Sequence, residues 1–298
     1  MSALRPAVLP AFVCAAALLT GAPAQAEWTL DAQAGAQFDD NVSNSLEADE
    51  RKADTAFNFN AAAGWHQQLT TGLGVSAAAI VDSSSYLHFS GLNNVGLGGR
   101  MQLRQKFGLG SEAPWANVFA RAVHYDYHYD YRDGWQYDGG VSLGKRFGER
   151  WNFSVNAHYD RYEADKLQPT ILPGVSTAAY DVSGWNLGAQ GSFLLTESDT
   201  LSVVYTHRVG SVTAVTEPEL EVLEYSDAVA IDPVFGSPRR IAYRLHAATD
   251  TVFLTWSHSF GAHWIANLSY GYRRAVSDED EVGSYYSNLI GFNIGYSF

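Results

Sequence analysis

The chain has 298 residues, 46% hydrophobic and 13% aromatic but only 17% charged, with 19 Lys+Arg against 32 Asp+Glu and a net charge of -13. That balance excludes the basic footprint of a nucleic-acid binder. The one cysteine, Cys14, lies in the first apolar stretch, so the remainder can form no disulfide, thiolate zinc site or cysteine nucleophile.

Arg5 precedes an apolar run from Ala7 to Leu19, and Ala24-Gln25-Ala26 offers a small-x-small cleavage site before Glu27. Residues 1–26 are therefore expected to be a cleaved secretory signal, leaving 27–298 as one domain. No later stretch approaches the ~20 consecutive apolar residues of a membrane helix. A transmembrane β-strand needs only ~9–11 residues, alternating in polarity.

That alternation recurs along the chain. Trp28, Leu30, Ala32, Ala34, Ala36 and Phe38 share one face, opposite Thr29, Asp31, Gln33 and Gln37. Phe57, Phe59, Ala61, Ala63 and Trp65 follow, then Leu73 to Val81, then Val95, Leu97, Met101 and Leu103. Further strands are predicted near 115–125, 135–147, 151–162, 180–194, 201–209, 243–259, 264–274 and 285–298. The count is twelve. The fifth strand has an ambiguous phase, because Trp115 and Phe119 share a face with Asn117 and Arg121, so ten to fourteen strands fit the pattern.

Connections alternate as well. Short turns fall at Thr70-Thr71-Gly72, Gly108 to Pro114, Gly148-Glu149-Arg150, Thr196 to Thr200 and Gly261-Ala262, whereas the other connections are long, the longest running from about 210 to 241. Trp28, Trp65, Trp115, Trp151, Trp256 and Trp264 lie beside the short-turn rim, as an interfacial aromatic girdle would. The expected fold is all-β: a single transmembrane antiparallel β-barrel of about twelve strands, with long extracellular loops and short periplasmic turns.

Polar faces must then line the interior, since lipid cannot solvate them. They carry Arg100, Arg104, Arg121, Arg146, Arg208 and Arg273, with Asp82, Asp138 and Asp160 and several Asn and Gln. Guanidinium groups along a channel suit carboxylate or phosphate solutes. The alternative is that these arginines pair with the aspartates and brace a narrow lumen.

Acidic residues concentrate in the loops: Asp39 to Glu50, Glu217 to Asp232, and Asp278-Glu279-Asp280-Glu281. None has the fixed spacing of a calcium loop, so these are read as solvated charge, with no cofactor and no metal expected. The long loop also carries Val222, Leu223, Val229, Ile231, Val234 and Phe235, apolar enough to fold inward as a constriction. Tyr125, Tyr127, Tyr129 and Tyr131 alternate with His and Asp beyond the fifth strand. They are expected as an extracellular aromatic girdle or a saccharide-contacting surface. His124 and His128 would stand ~13 Å apart on a strand, too far to share an ion. Gly140-Val141-Ser142-Leu143-Gly144 matches a nucleophile-elbow string, but it lies within an alternating strand rather than a strand-to-helix turn. No catalytic residues and no enzyme activity are expected.

Phe292, Ile294, Tyr296 and Phe298 occupy one side of the last strand, and this ending resembles the assembly signal of bacterial outer-membrane β-barrels. Gly35-Ala36-Gln37-Phe38-Asp39-Asp40-Asn41-Val42 resembles the start of barrels associated with exopolysaccharide biosynthesis. With Ser287-Asn288 before the terminal Phe, the chain is also similar to the barrel of surface-lipoprotein assembly modifiers. That family carries an N-terminal helical repeat domain, for which the predicted layout leaves no room. These resemblances imply a Gram-negative outer-membrane location. The implied partners are lipid and lipopolysaccharide, the barrel-assembly machinery, and a polar, anionic or saccharide solute. The function expected is a passive channel or export port. The alternatives are a non-conducting surface barrel and, third, a lipid-modifying barrel enzyme.

Overall fold

The computed structural model describes residues 26–218, 220–236, 239–278 and 283–298. Residues 1–25 of the expected 1–26 signal, Glu219 and Glu279 to Glu281 lie outside the described residues. Among the described residues thirteen strands follow one another: β1 Ala26–Asp39, β2 Asp54–Gln68, β3 Leu73–Tyr86, β4 Asn94–Lys106, β5 Trp115–Tyr127, β6 Gly134–Phe147, β7 Trp151–Ala164, β8 Val182–Leu194, β9 Asp199–Thr216, β10 Ala228–Ile231, β11 Ile241–Phe260, β12 Trp264–Ser277 and β13 Ser284–Ser297. A short helix, α1 Leu220–Tyr225, precedes β10.

All strands but β10 are staves of one closed sheet. Each pairs antiparallel with its neighbours, β9 pairs with β11, and β13 pairs with β1 through contacts such as Ala36 with Phe292. Closure leaves no unpaired edge among the staves, which lipid would otherwise penalise at every free amide. The terminal residue completes the seam: Phe298 and Leu30 exchange backbone hydrogen bonds of 2.9 and 3.1 Å.

The outward face shows why this barrel belongs in a bilayer. Leu97, Val118, Val155, Leu268 and Phe292 are each at least half exposed, along with most other outward apolar side chains. A water-soluble barrel would hide such a band; hydrocarbon solvates it. Trp28, Trp65, Trp151, Trp256 and Trp264 are outward-facing and exposed at the short-turn end, Trp65 apart from its half-buried ring. Trp115 differs from the expected girdle: its ring lies inside, against Gly144, where an added Cβ would sit 2.3 Å from the indole. The phase of β5 is thereby settled, with Trp115, Asn117, Phe119 and Arg121 inward.

Packed apolar side chains sit above the bilayer band, under the long loops. One cluster joins Ala214, Val229, Ile241, Tyr243, Leu245, Ala275 and Tyr285. A second joins Leu92, Ala179, Tyr180, Val215, Ala230, Phe235 and Ala242, with Phe89, Tyr129 and Tyr131 against it.

Candidate functional site

Strand pleating alone determines which side chains reach the lumen, because successive residues alternate between faces. It puts all six expected arginines, with Asp82, Asp138 and Asp160, on the inward face. Their surroundings then divide them.

Four of the six are ion-paired within the wall. Arg121 on β5 donates to Asp82 on β3 at 2.6 Å and to Asp138 on β6 at 3.1 Å. Arg208 meets Asp160 in a two-pronged contact, Nε to Oδ1 at 3.0 Å and Nη2 to Oδ2 at 2.8 Å. Space for that guanidinium comes from Gly184, where a Cβ would lie 2.7 Å from Arg208 Cζ. Arg273 pairs with Asp39 at 3.0 Å, reaching across β13. Arg100 on β4 pairs with Asp31 on β1 at 3.1 Å, so this contact bridges three strand spacings and narrows the bore. Asn60, Gln33, Asn58, Asn293 and Tyr125 line a mid-lumen cavity of about 360 Å³.

Arg104 and Arg146 have no carboxylate partner among the described residues. Arg104 lies over the Trp115 ring at 4.5 Å, and Arg146 donates to the backbone carbonyl of Glu149. Both line a cavity of about 920 Å³ at the short-turn mouth, together with His66, Lys106 and Arg150.

The tyrosines depart from the outward girdle expected of them. β5 ends at Tyr127, and Asp130–Arg132 form a single helical turn rather than more strand. Tyr125 faces the lumen, accepting from Arg121 and donating to Asp82, both at 2.9 Å. Tyr127 follows on the same face, while Tyr129 and Tyr131 pack beneath the cap with rings 5.8 Å apart. It is His124 that faces out, bonded to Asp165 at 2.8 Å. The physical reason is register: Arg121 points inward, so residues four and six positions later on the same strand do too.

The cap is the long loop between β9 and β11. β10 pairs with the start of β11, and the following turn, Pro233–Phe235, packs against residues from the opposite wall. Phe235 meets Phe89, with centroids 4.9 Å apart. Asp232, fully buried, binds Arg132 at 2.5 Å. Gln168 clamps Ile231 from both sides, donating to its carbonyl at 2.7 Å and accepting from its amide at 2.9 Å. Tyr129 adds an O–H donated to the same carbonyl at 2.9 Å. Of the apolar loop residues, Val222, Leu223, Val229, Val234 and Phe235 join the clusters, whereas Ile231 is exposed. Burial works against the Arg132 cation, yet the Asp232 carboxylate together with the Tyr180 and Tyr127 phenols holds the guanidinium above its usual range. Burial first, and Asp232 second, push the Tyr129 phenol up to about 12.

Sequence reasoning did not single out Arg132 or Gln168, and it read Asp232 as part of a solvated acidic run, whereas that side chain is fully buried against Arg132. They lie in connections without periodicity, and the ion pair joins residues a hundred positions apart. The acidic loops form no group of three or more His, Cys, Asp or Glu placed to hold a metal, among the described residues.

No family model matches this sequence. No curated protein matches it either. Among solved structures, the barrel is similar to the COG4313 outer membrane channel from Pseudomonas putida F1 at 12% identity and a TM-score of 0.55, covering 93% of this chain and 97% of that one. The NanC porin is similar at 10% identity and a TM-score of 0.45, covering 90% and 98%, and the KdgM porin at 9% and 0.43, covering 91% and 99%. At these identities the likeness is one of fold: a closed antiparallel barrel of the outer-membrane type.

Proposed function

We propose that this barrel is a passive outer-membrane channel for small polar solutes, anions among them. The observation that carries the reading is the wall itself. An apolar outside encloses a polar inside containing cavities of about 920 and 360 Å³, both lined by charged and amide side chains. A barrel that served only as a scaffold could fill its interior with packed apolar side chains. The similar COG4313 protein of Pseudomonas putida F1 is itself an outer membrane channel, which agrees with this reading. The sequence resemblance of the two chain ends to exopolysaccharide-associated barrels points toward saccharides as solutes.

Reconstitution in a planar bilayer tests the proposal. Open steps with an anion-shifted reversal potential are expected, with the shift reduced in Arg100→Ala or Arg121→Ala. Complete electrical silence, in wild type and in a variant lacking the cap, would refute it.

One observation favours a second reading. The cap contacts span the long-loop mouth, from Phe235 to Phe89 and from Asp232 to Arg132. A barrel permanently closed there would act as a surface scaffold, the acidic loops being its contact face. Solute uptake unchanged by deleting residues 212–238 would support that reading over a gated channel.

A further inference from the structure

The basic side chains that face the bore differ in their partners. Arg100, Arg121, Arg208 and Arg273 within the wall, and Arg132 and Arg240 in the long-loop end, each have a carboxylate partner. At the short-turn mouth the pattern stops. Arg104, Lys106, Arg146 and Arg150 line one cavity of about 920 Å³, and none forms an ion pair among the described residues. Glu149 is the one acidic residue lining that cavity.

The register fixes how these cations are spread. Arg104 and Lys106 are both inward residues at the end of β4, and Lys106 pairs with Trp115 at the start of β5. Trp115 pairs with Gly144 on β6, two residues before Arg146. β4 and β6 are therefore two strand spacings apart, ~10 Å. Arg150 follows in the turn to β7. One oxyanion could meet one side of this arrangement but not both. The space between is wide enough for a small molecule with two or more anionic groups.

We propose that the short-turn vestibule is a binding site for small multivalent oxyanions, such as tricarboxylates or diphosphates. Arg104 and Lys106 hold one group; Arg146 and Arg150 hold another. Arg104 lies over the Trp115 ring at 4.5 Å, a cation–π contact that helps hold it at the cavity wall and leaves its charge without a carboxylate partner. Arginine donors in a fork match carboxylate and phosphate oxygens. The cavity opens to the aqueous bore through inward-facing residues, so its ligands come from solution rather than from the lipid leaflet. An anion deeper in the bore meets walls already compensated by Asp31, Asp82, Asp138 and Asp160. Binding is accordingly strongest at this mouth.

The inference rests on the channel reading for its biological meaning but on binding alone for its test. Full-length protein in a neutral detergent is titrated calorimetrically with citrate, with pyrophosphate and with sucrose. Citrate and pyrophosphate should bind saturably, and sucrose should not. Arg146→Gln with Arg150→Gln should weaken citrate about tenfold or more, as loss of charge-assisted hydrogen bonds predicts. Arg104→Gln with Lys106→Gln, altering the opposite wall, should do the same. Lys145→Gln, one residue from Arg146 but on the outward face, should leave the affinity unchanged. Absence of saturable citrate binding, an affinity unchanged from wild type in either double variant, or an equal loss in Lys145→Gln would each overturn the site. Silence in a bilayer alongside normal citrate binding would instead refute the channel and leave the site standing.

Discussion

Asp232→Asn is the sharpest perturbation of the cap. In the wild type its carboxylate is fully buried against Arg132, whose Nε has no hydrogen-bond partner. The amide keeps the hydrogen bond that Asp232 Oδ1 accepts from Val234, 3.0 Å away, so the local turn can persist. The counter-charge is lost, however, and a buried cation stripped of its partner costs ~3–5 kcal/mol. Other ties between this turn and the walls around it include three hydrogen bonds to Ile231 and the burial of Phe235. At ~0.5–1.5 kcal/mol per hydrogen bond and ~1.5–3 kcal/mol for the ring, they total ~3–7 kcal/mol. The ion pair thus rivals these ties taken together.

Losing ~3–5 kcal/mol raises the released population roughly a hundredfold to a few thousandfold. Hydrogen exchange of residues 228–236 should accelerate by that factor while the staves stay protected. In a bilayer, the variant should open more often. The double variant Arg132→Met with Asp232→Leu replaces the pair by apolar side chains and should exchange nearly as slowly as wild type. Exchange in Asp232→Asn as slow as wild type, or in the double variant as fast as in Asp232→Asn, would refute the latch.

Three further outcomes are expected. The Tyr129 phenol is raised from 10.0 to about 12, so the stabilisation it lends the closed cap is complete below pH 10 and is lost as pH rises through 12; proteolysis of residues 228–236 should rise over that window in wild type, and an identical rise in Tyr129→Phe would disprove the assignment. Arg121→Met leaves Asp82 and Asp138 without their shared cation, so the reversal potential should move toward cation selectivity and detergent-unfolding stability should fall by ~3–6 kcal/mol, from two charge-assisted contacts; no change in either quantity contradicts the lumen geometry. Deleting Phe298 removes both hydrogen bonds to Leu30 at the seam, and the folded, heat-modifiable fraction in cell envelopes should drop while the conductance of refolded protein is unchanged.

Strand number and wall phase were readable because each stave meets lipid on one side and water on the other, so polarity repeats every second residue. The same logic failed at Trp115 because a lumen can hold an aromatic ring where a neighbour such as Gly144 makes room for it. The tyrosine repeat carried a usable signal that composition obscured. Tyr suits a membrane interface, but Arg121 already fixed the inward phase for Tyr125 and Tyr127 four and six residues on. Periodicity reports only direction, and a side chain's partner depends on register between strands distant in sequence. Arg100 and Arg104 are both inward on β4, yet Arg100 finds Asp31 three strands away and Arg104 finds an indole. For a channel that difference decides function: a paired guanidinium braces the wall, and an unpaired one is free to meet an anion. The residues that close the far mouth left still less trace, because Arg132 and Asp232 belong to loops whose meeting is set by the barrel's circumference and by no pattern within either loop.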